Sequence, residues 1–480
     1  MKVVLVNPPP YQLVEPYYDT PPYPRTAIAY LAGFLRSKGI DVDAVDCKFD
    51  RLDYGQGINA VLAKDPTIVG LTAFSNEIVQ AAEFASMLKK SRPELITLIG
   101  GVHFTAIPEQ TLREFPSFDY GIKGEGEESL VHFCKFIENA ETQLPEGVCQ
   151  ISGNGEFTEG GDRKPIGDQE TLPYPAWDLF RPAEEYILHT SRGCPFACTF
   201  CMNPNGRKVR PRSPENVIGE LEFLYEFANP SRIFFGDEIF TVKKDRIREL
   251  CKLMIAKGFH KRFSWKCQTH VACIDQDLAD LMKESNCRTT GLGIESGDDM
   301  LLMKMGKSTN ASLIKDAVRV LKKSKINFES YFILGQPNET KQSALKTINF
   351  AVELNPDIPI LGIMVPYPGT KIAQMVENGE GGYKRLSTNW NDYNKQFGNS
   401  IEFDHLSRRQ MELLQLYGYL KVFIFNWRFI DLSKFVWQYK SEGIALIKKI
   451  VGLRPAKVID PTMINSLALD SVNQKAEHKN

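Results

Sequence analysis

The feature that most narrows the fold is a repeated pairing of an apolar run with a helical stretch. In "KVVLVNPP", "TIVGLTAFS" and "LITLIGG" apolar residues follow one another without alternation. Strands of that kind are covered on both faces, as in parallel sheets. "DVDAVDC" and "FDYGIKG" supply two more strands. Between them lie stretches with helical spacing: "TAIAYLAGFLRSKG", closed by Gly39, then "GINAVLAKD", "EIVQAAEFASMLKKSRP", stopped at Pro93, "IPEQTLREFP" and "GEESLVHFCKFIENA". Residues 1–135 therefore predict an α/β domain with a doubly wound, Rossmann-like parallel sheet. Ligands of such sheets sit outside the carboxyl ends of the strands.

The rhythm breaks over 136–184. "GVCQISGNGEFTEG" predicts a hairpin, and "DRKPIGDQETLPYPAWDLF" a proline-rich linker lying on the next domain. It resumes at 185 with six strand candidates: "YILHTS", "RIFFGDEIF", "FSWKCQTH", "RTTGLGIES", "NFESYFILG" and "PILGIMVPYP". Six βα units over 185–400 predict a partial parallel barrel, with its chemistry where the strands end. Residues 401–480 predict a helical cap and tail, aromatic at Phe423, Phe425, Trp427, Phe429, Phe435 and Trp437. Those rings are expected to be core packing, with a substrate pocket as the alternative. The last residues, "NQKAEHKN", are expected to fray.

With 480 residues the chain has room for two to four domains at roughly 100–200 residues each. Lys plus Arg number 58 against 59 Asp plus Glu, so net charge gives no reason to expect nucleic acid or an acidic membrane as partner. The N-terminus lacks the long apolar run of a secretory signal. The most apolar late segment, 413–430, is interrupted by Lys421, Asn426 and Arg428, so no membrane span is expected. A cytoplasmic protein follows, in which the ten cysteines are thiols or metal ligands.

Three of those cysteines crowd into "SRGCPFACTFCMNP": Cys194, Cys198 and Cys201. A structural zinc site needs a fourth ligand, and the other seven cysteines are scattered singly. Buried thiols suit those seven. They do not suit the triplet, which sits in a turn of Gly, Pro and Asn directly after a strand. A cubane iron–sulfur cluster suits it better. Three thiolates then leave one iron free to take a small molecule through amino and carboxylate groups, and an electron passed to a sulfonium there would release a carbon radical.

C-x3-C-x2-C after the first strand of a six-unit barrel resembles the radical S-adenosylmethionine (SAM) superfamily, and Phe200 stands where that family has an aromatic before the last Cys. The resemblance implies a [4Fe-4S] cluster on Cys194, Cys198 and Cys201. It implies SAM contacts at Gly236, Asp237 and Glu238 of "FFGDEIFT", at Glu295 and Ser296 of "GIESGDDMLLMKMGKST", at Gly335 of "FILGQPNET", and at Tyr367 of "VPYPGT". Plainer roles stand beside each. Asp237 and Glu238 also fit an exposed loop pair, Gly335 a turn glycine, and Glu295 a buried carboxylate that needs a partner.

The first domain lacks G-x-G-x-x-G and the phosphate loop; "NPPPYQ" follows its first strand. Instead "LIGGVHFTAIPE" and "YGIKGEGEES" place Gly100, Gly101, Gly124, Glu125 and Gly126 at the carboxyl edge, where a large flat ligand can lie. With the linker and the barrel, this resembles the cobalamin-binding domain fused in front of many radical SAM enzymes. Ser75 and His103 are further candidate contacts. One departure matters: where cobalt-ligating modules carry Asp-x-His-x-x-Gly, this chain has "DCKFDR", with Lys48 in the His slot. A histidine below cobalt is not expected there.

The resemblance implies reductive cleavage of SAM to a 5′-deoxyadenosyl radical, hydrogen removal from an unactivated carbon, and methyl delivery from methylcobalamin. A cyclisation, ring contraction or oxidation without methyl transfer uses the same parts. tRNA methylthiolation would want three further cysteines in the first domain and a terminal RNA-binding barrel; a cobalamin carrier would not need the SAM-like strand ends. Expected partners are a small-molecule or peptide substrate and an electron donor such as flavodoxin or ferredoxin, with no nucleic acid. His270, Gln268 and Tyr367 lie at strand ends within reach of a substrate, and no general base is named.

Overall fold

The computed structural model describes residues 1–10, 21–395, 398–438 and 440. Tyr11 and Gln12 of "NPPPYQ" and the "NQKAEHKN" tail lie outside them. The chain divides into two compact units, Met1–Gln415 and Leu416–Asn480.

Five parallel strands open the first unit: β1 (Lys2–Asn7), β2 (Asp41–Asp46), β3 (Ile68–Thr72), β4 (Ile96–Gly100) and β5 (Tyr120–Ile122), in the spatial order β2-β1-β3-β4-β5. Val3 lies between Val42 and Ile68, and Val3, Val4 and Val6 are wholly buried. This burial under helices on both faces is why the runs carry no polar alternation. The order reverses between β1 and β3, the place where doubly wound sheets take their ligands. The predicted hairpin exists as β6 (Val148–Ile151) and β7 (Phe157–Glu159), but it belongs to this sheet: β6 pairs antiparallel with β5. The sheet thus runs past 135, where the linker was expected to begin.

The proline-rich segment is pinned on both sides. Ala176 N donates to Ala29 O at 2.9 Å, in the helix Thr26–Ser37. Trp177 is wholly buried, edge-on to Tyr30 of that helix and to Tyr186 of the next strand, at centroid distances of 6.5 and 5.0 Å. It lies on the preceding domain as well as the following one.

The second sheet comprises β8 (Glu185–Leu188), β11 (Arg232–Phe235), β12 (Ser264–Thr269), β13 (Cys287–Glu295), β14 (Asn327–Leu334) and β15 (Ile358–Ile363), all parallel and in chain order. A two-residue antiparallel ladder, β9 (Ser191–Arg192) with β10 (Arg210–Pro211), closes the loop that carries the three cysteines. The six strands fall on the six predicted runs; β11, β12 and β14 alternate, whereas β13 and β15 have runs of consecutive buried residues. In β14, Phe328, Ser330, Phe332 and Leu334 are buried, whereas Glu329, Tyr331 and Ile333 are half-buried. One face packs on helices and the other carries polar groups. Helices start where capping residues stand: Ser213 Oγ accepts from Asn216 N at 3.1 Å with Pro214 as the first helical residue. A hairpin not foreseen, β16 (Tyr383–Arg385) with β17 (Ile401–Phe403), follows β15. The helices Arg408–Phe425 and Phe429–Gln438 come last.

Gly33 shows how tightly the linker is held. A Cβ there would stand 2.4 Å from Tyr174 O, a backbone atom that cannot swing away. Gly33→Ala is expected to cost about 1–3 kcal/mol, measured by denaturant unfolding. An unchanged midpoint would mean the linker is not seated on this helix.

Candidate functional site

The cysteine loop leaves β9 through Gly193, whose φ is +96° and whose Cβ would stand 2.3 Å from Lys208 O. Only glycine fits that turn. Backbone bonds pin the loop from several sides: Cys194 N to Gly206 O at 3.0 Å, Thr199 N to Met305 O at 2.9 Å, and Ile372 N to Thr199 O at 3.1 Å. Asn203, itself at φ +51°, donates from Nδ2 to Cys194 O at 2.8 Å. Cys194 and Cys198 are half-buried and Cys201 is exposed, all as free thiols. Burial pushes the Cys194 and Cys198 thiols up, and at Cys198 the Lys307 ammonium opposes it. Three thiols on one pinned loop are the donor set that a cubane with a free iron corner asks of a protein. Among the described residues no group of three or more His, Cys, Asp or Glu side chains is placed to hold a single metal ion. Phe200 is half-buried in the loop. Phe196 stacks on His270 at 4.1 Å and 18°, and burial lowers the His270 imidazole to about 4.

The predicted strand-end residues divide into two groups. Asp237 is buried and held by three hydrogen bonds: it accepts from Thr190 N and Oγ1 at 2.6 Å each and from Ser191 Oγ at 2.7 Å. It fixes the turn entering the cysteine loop, so its side chain is neither an exposed loop acid nor free for a ligand. Glu238 is half-buried and accepts from Asn205 Nδ2 at 2.5 Å. Ser296 is buried on Thr347 Oγ1 at 2.9 Å, and Gly335, at φ +94°, is enclosed by Phe403, Met364 and Met411. Tyr367 donates to Tyr393 O at 3.2 Å. These residues shape the strand ends. Glu295 differs. It is buried with φ +67°, and its Oε1 accepts from Lys307 Nζ at 2.9 Å. Gly293 makes the room: a Cβ there would stand 2.6 Å from Glu295 Oε1 and 2.7 Å from Lys307 Nζ. Lys307 is not singled out by the sequence although it stands near the end of "GIESGDDMLLMKMGKST"; nothing local marks a lysine as buried.

At the first sheet's carboxyl edge, Gly100, Gly101, Gly124, Glu125 and Gly126 line a cavity of about 670 Å³. Its wall continues onto the barrel at Ile187, His189, Arg192, Phe234 and Gly236. It also reaches beneath the helix Thr26–Ser37, where Leu5, Gly70, Leu98, Ile28 and Leu31 face it. A Cβ on Gly70 would stand 2.9 Å from Leu5 Cδ2, so the glycine keeps an apolar slot open at the β1/β3 switch point. An edge of glycines above an apolar slot fits a broad ligand with a flat appendage. Ser75 and His103 are not on this wall. They pair with each other at 3.1 Å between Oγ and Nδ1, and the His103 ring lies edge-on to Trp390 at 4.6 Å. His103 is thus a buried packing histidine, lowered to about 4 by burial. Lys48 does face the cavity. Its Nζ is 2.6 Å from Glu77 Oε1, with Arg25 on the same carboxylate at 3.5 Å. Burial pushes Glu77 up, and the two cations with the Phe74 amide more than offset it, holding the carboxyl below its ordinary range. Asp46 is spent on Asn7 Nδ2 and Arg25 N, at 2.7 Å each.

Two arginines join the edges. Arg192, in β9, places NH2 2.6 Å from Glu127 Oε1, and Arg210, in β10, places NH2 2.5 Å from Glu125 Oε1. Arg210 also donates to Asn205 O at 3.0 Å inside the cysteine loop. Both glutamates belong to the "GEGEES" stretch, so the glycine edge of one sheet is ion-paired to the cysteine loop of the other.

The same division appears in the comparisons. The profile of the radical SAM superfamily matches residues 188–351, and that of the B12 binding domain matches residues 16–133. An uncharacterized methyltransferase of Pyrococcus horikoshii is 30% identical over 436 residues, 88% of this chain and 93% of that protein. The chain belongs to the cobalamin-dependent radical SAM enzymes. The anaerobic magnesium-protoporphyrin IX monomethyl ester cyclase of Rubrivivax gelatinosus is 28% identical over 73% of this radical SAM chain and 66% of its own length. The radical SAM methyltransferase TsrM of Kitasatospora setae, solved with cobalamin and a [4Fe-4S] cluster bound, superposes with a TM-score of 0.68 at 18% identity, covering 88% of this chain and 90% of that one. At that identity the likeness shows the fold: a B12-type sheet before a radical SAM barrel.

The joint between the edges carries a pH signature. Burial pushes the Glu125 carboxyl up, but Arg210, Arg192 and the Ile166 amide outweigh it and hold the group below its ordinary range. A lowered carboxylate contributes stability that is present above its ordinary value, about 4.3, and is lost as pH falls through the lowered folded value. Thermal unfolding followed across that acid window is expected to fall more steeply for the native chain than for Glu125→Gln; equal slopes would remove the ion pair from the account. Arg210→Ala, which strands Glu125, is expected to cost about 3–5 kcal/mol at neutral pH.

Proposed function

We propose that this enzyme transfers a methyl group to an unactivated carbon of a small molecule held between the two sheet edges. The observation that carries it is the shared cavity: one wall is the glycine edge of the B12-type sheet, and the other is the mouth of the barrel beside the cysteine loop. When bound, cobalamin supplies a methyl carrier, and the cluster with SAM supplies a radical able to open a carbon–hydrogen bond.

The chain's own residues do the positioning. Cys194, Cys198 and Cys201 would hold the [4Fe-4S] cluster through their three thiolates, with SAM bound beside it. Lys307, a buried cation within electrostatic reach of Cys198 and Cys194, is the counter-charge for a carboxylate at that corner. Glu295 orients it through their 2.9 Å contact. The backbone of Gly236, Asp237 and Glu238 borders the same mouth, and Asp237 keeps the loop entrance in register. Gly100, Gly101, Gly124 and Gly126 would offer bare backbone to a bound cobalamin, and the apolar slot beneath the helix Thr26–Ser37 would accommodate its flat appendage. Lys48 and Glu77 close the position that a cobalt-ligating histidine would occupy. Electrons come from a small reductase partner of the flavodoxin or ferredoxin kind. No helix among the described residues is long and apolar enough to cross a membrane, and a cytoplasmic setting suits oxygen-sensitive chemistry.

Rearrangement without methyl transfer is the second reading, supported by the identity shared with the Rubrivivax cyclase. SAM carrying a labelled methyl group separates the two. Label recovered in the product of a candidate substrate supports methyl transfer; a changed product free of label overturns it in favour of rearrangement. Cys198→Ala is expected to lose the visible absorption of the cluster and all 5′-deoxyadenosine formation while still binding cobalamin. A variant that kept both cluster properties would remove Cys198 from the ligand set. Lys307→Ala is expected to keep the cluster spectrum and to raise the KM for SAM about tenfold or more, the scale of a lost charge-assisted contact of about 1.5–3 kcal/mol; an unchanged KM would remove Lys307 from SAM binding.

A further inference from the structure

The described part of the second unit is a helix pair with two unlike faces. Its inner face packs on itself: Tyr419 and Phe423 meet Phe435 at centroid distances of 4.8 and 5.5 Å. Its outer face is apolar and open. Phe425, Trp427, Phe429, Ile430, Val436 and Trp437 are each more than half exposed. These rings are not the core packing expected of them, and soluble monomers rarely leave so many large apolar side chains together in water.

The turn between the helices adds a second observation. Trp427 N donates to Ile424 O at 3.1 Å and Arg428 N to Phe423 O at 2.9 Å. Those two bonds form a Schellman closure, whose αL position is usually glycine. Here it holds Trp427, at φ +58° and 81% exposed. A bulky residue in that conformation is an outlier. A tryptophan is therefore kept at the apex of the open face against the backbone's own preference.

Charge supplies the third. Residues 416–440 carry Lys421, Arg428, Lys434 and Lys440 against Asp431 alone, in a chain whose net charge is −1. Lys421 lies over the Tyr417 and Phe425 rings at 5.4 and 5.3 Å, and Lys440 over Trp437 at 4.5 Å. Lysines beside exposed aromatics match a bilayer interface, where rings enter the headgroup layer and ammonium groups meet phosphates. No helix among the described residues is long and apolar enough to cross a membrane, so such a face would meet a bilayer at its surface.

We propose that this face docks the enzyme on the surface of an anionic phospholipid bilayer. The occupant is the lipid surface and not a second copy, because a basic face repels its own image. The test is flotation of the full-length, cluster-loaded chain with vesicles of phosphatidylcholine alone and of phosphatidylcholine mixed with phosphatidylglycerol, alongside sedimentation velocity without lipid. Binding is expected only to the anionic vesicles, falling at least about tenfold between low and high salt. Trp427→Gly should weaken it severalfold while raising or preserving thermal stability, since glycine suits the turn; this separates lipid contact from folding. Lys434→Glu should weaken it as well. Overturning results are absence of flotation with anionic vesicles, equal binding to both vesicle types, full binding by Trp427→Gly, or dimerisation through this face that the same variants abolish. None of these outcomes bears on cluster loading or SAM cleavage, so failure here leaves the proposed reaction standing.

Discussion

Two ion pairs hold this enzyme's chemistry together. Arg192 with Glu127 and Arg210 with Glu125 tie the loop that carries the cysteines to the loop that edges the first sheet. The Arg210–Glu125 side chains are nearly wholly buried, at 4% and 8% exposure, so a missing partner would strand a charge in low dielectric. Such a pair contributes more to where the two edges sit than to net stability. A cavity shared by two parallel sheets exists only if both carboxyl edges are held toward each other, and these pairs cross the gap.

Around that joint the polar groups sort by what they already hold. Asp237 accepts three hydrogen bonds from Thr190 and Ser191, Ser296 pairs with Thr347, and His103 pairs through Nδ1 with Ser75 and packs on Trp390. These are scaffold. Among the described residues Glu295 and Lys307 form a side-chain ion pair in a buried mouth beside two cysteines, and that is the state of groups available to a charged ligand. Lys48 pairs with Glu77 below the first sheet's edge, where Glu77 also accepts from Arg25 and the Phe74 amide. The distinction is physical: a buried carboxylate held by three hydrogen bonds is fixed in place, whereas a buried ion pair presents both of the charges that a zwitterion's ammonium and carboxylate would meet.

The fold was legible because its signals are local. Apolar runs, capping residues and glycine turns are set by backbone sterics and by burial, so the five parallel strands of the first sheet and the six of the barrel fall where the runs stand. The cysteine triplet was legible for the same reason: its spacing within one loop is itself the chemistry. The attachment of β6 and β7 to the first sheet was not, since a hairpin's local signal says nothing about which edge it joins.

What the sequence determined alone was the pair of parallel sheets, the three-thiol loop and the absence of a histidine at Lys48, each a matter of residue type at short spacing. What only the tertiary structure decided was which polar residues are spent and which are free. Glu125 and Arg210 are 85 positions apart and Glu127 and Arg192 are 65 apart; Lys307 meets Glu295 only because Gly293 leaves a gap for both. Such pairings depend on distances between elements that no local pattern encodes, because Coulomb attraction and desolvation act through space and not along the chain.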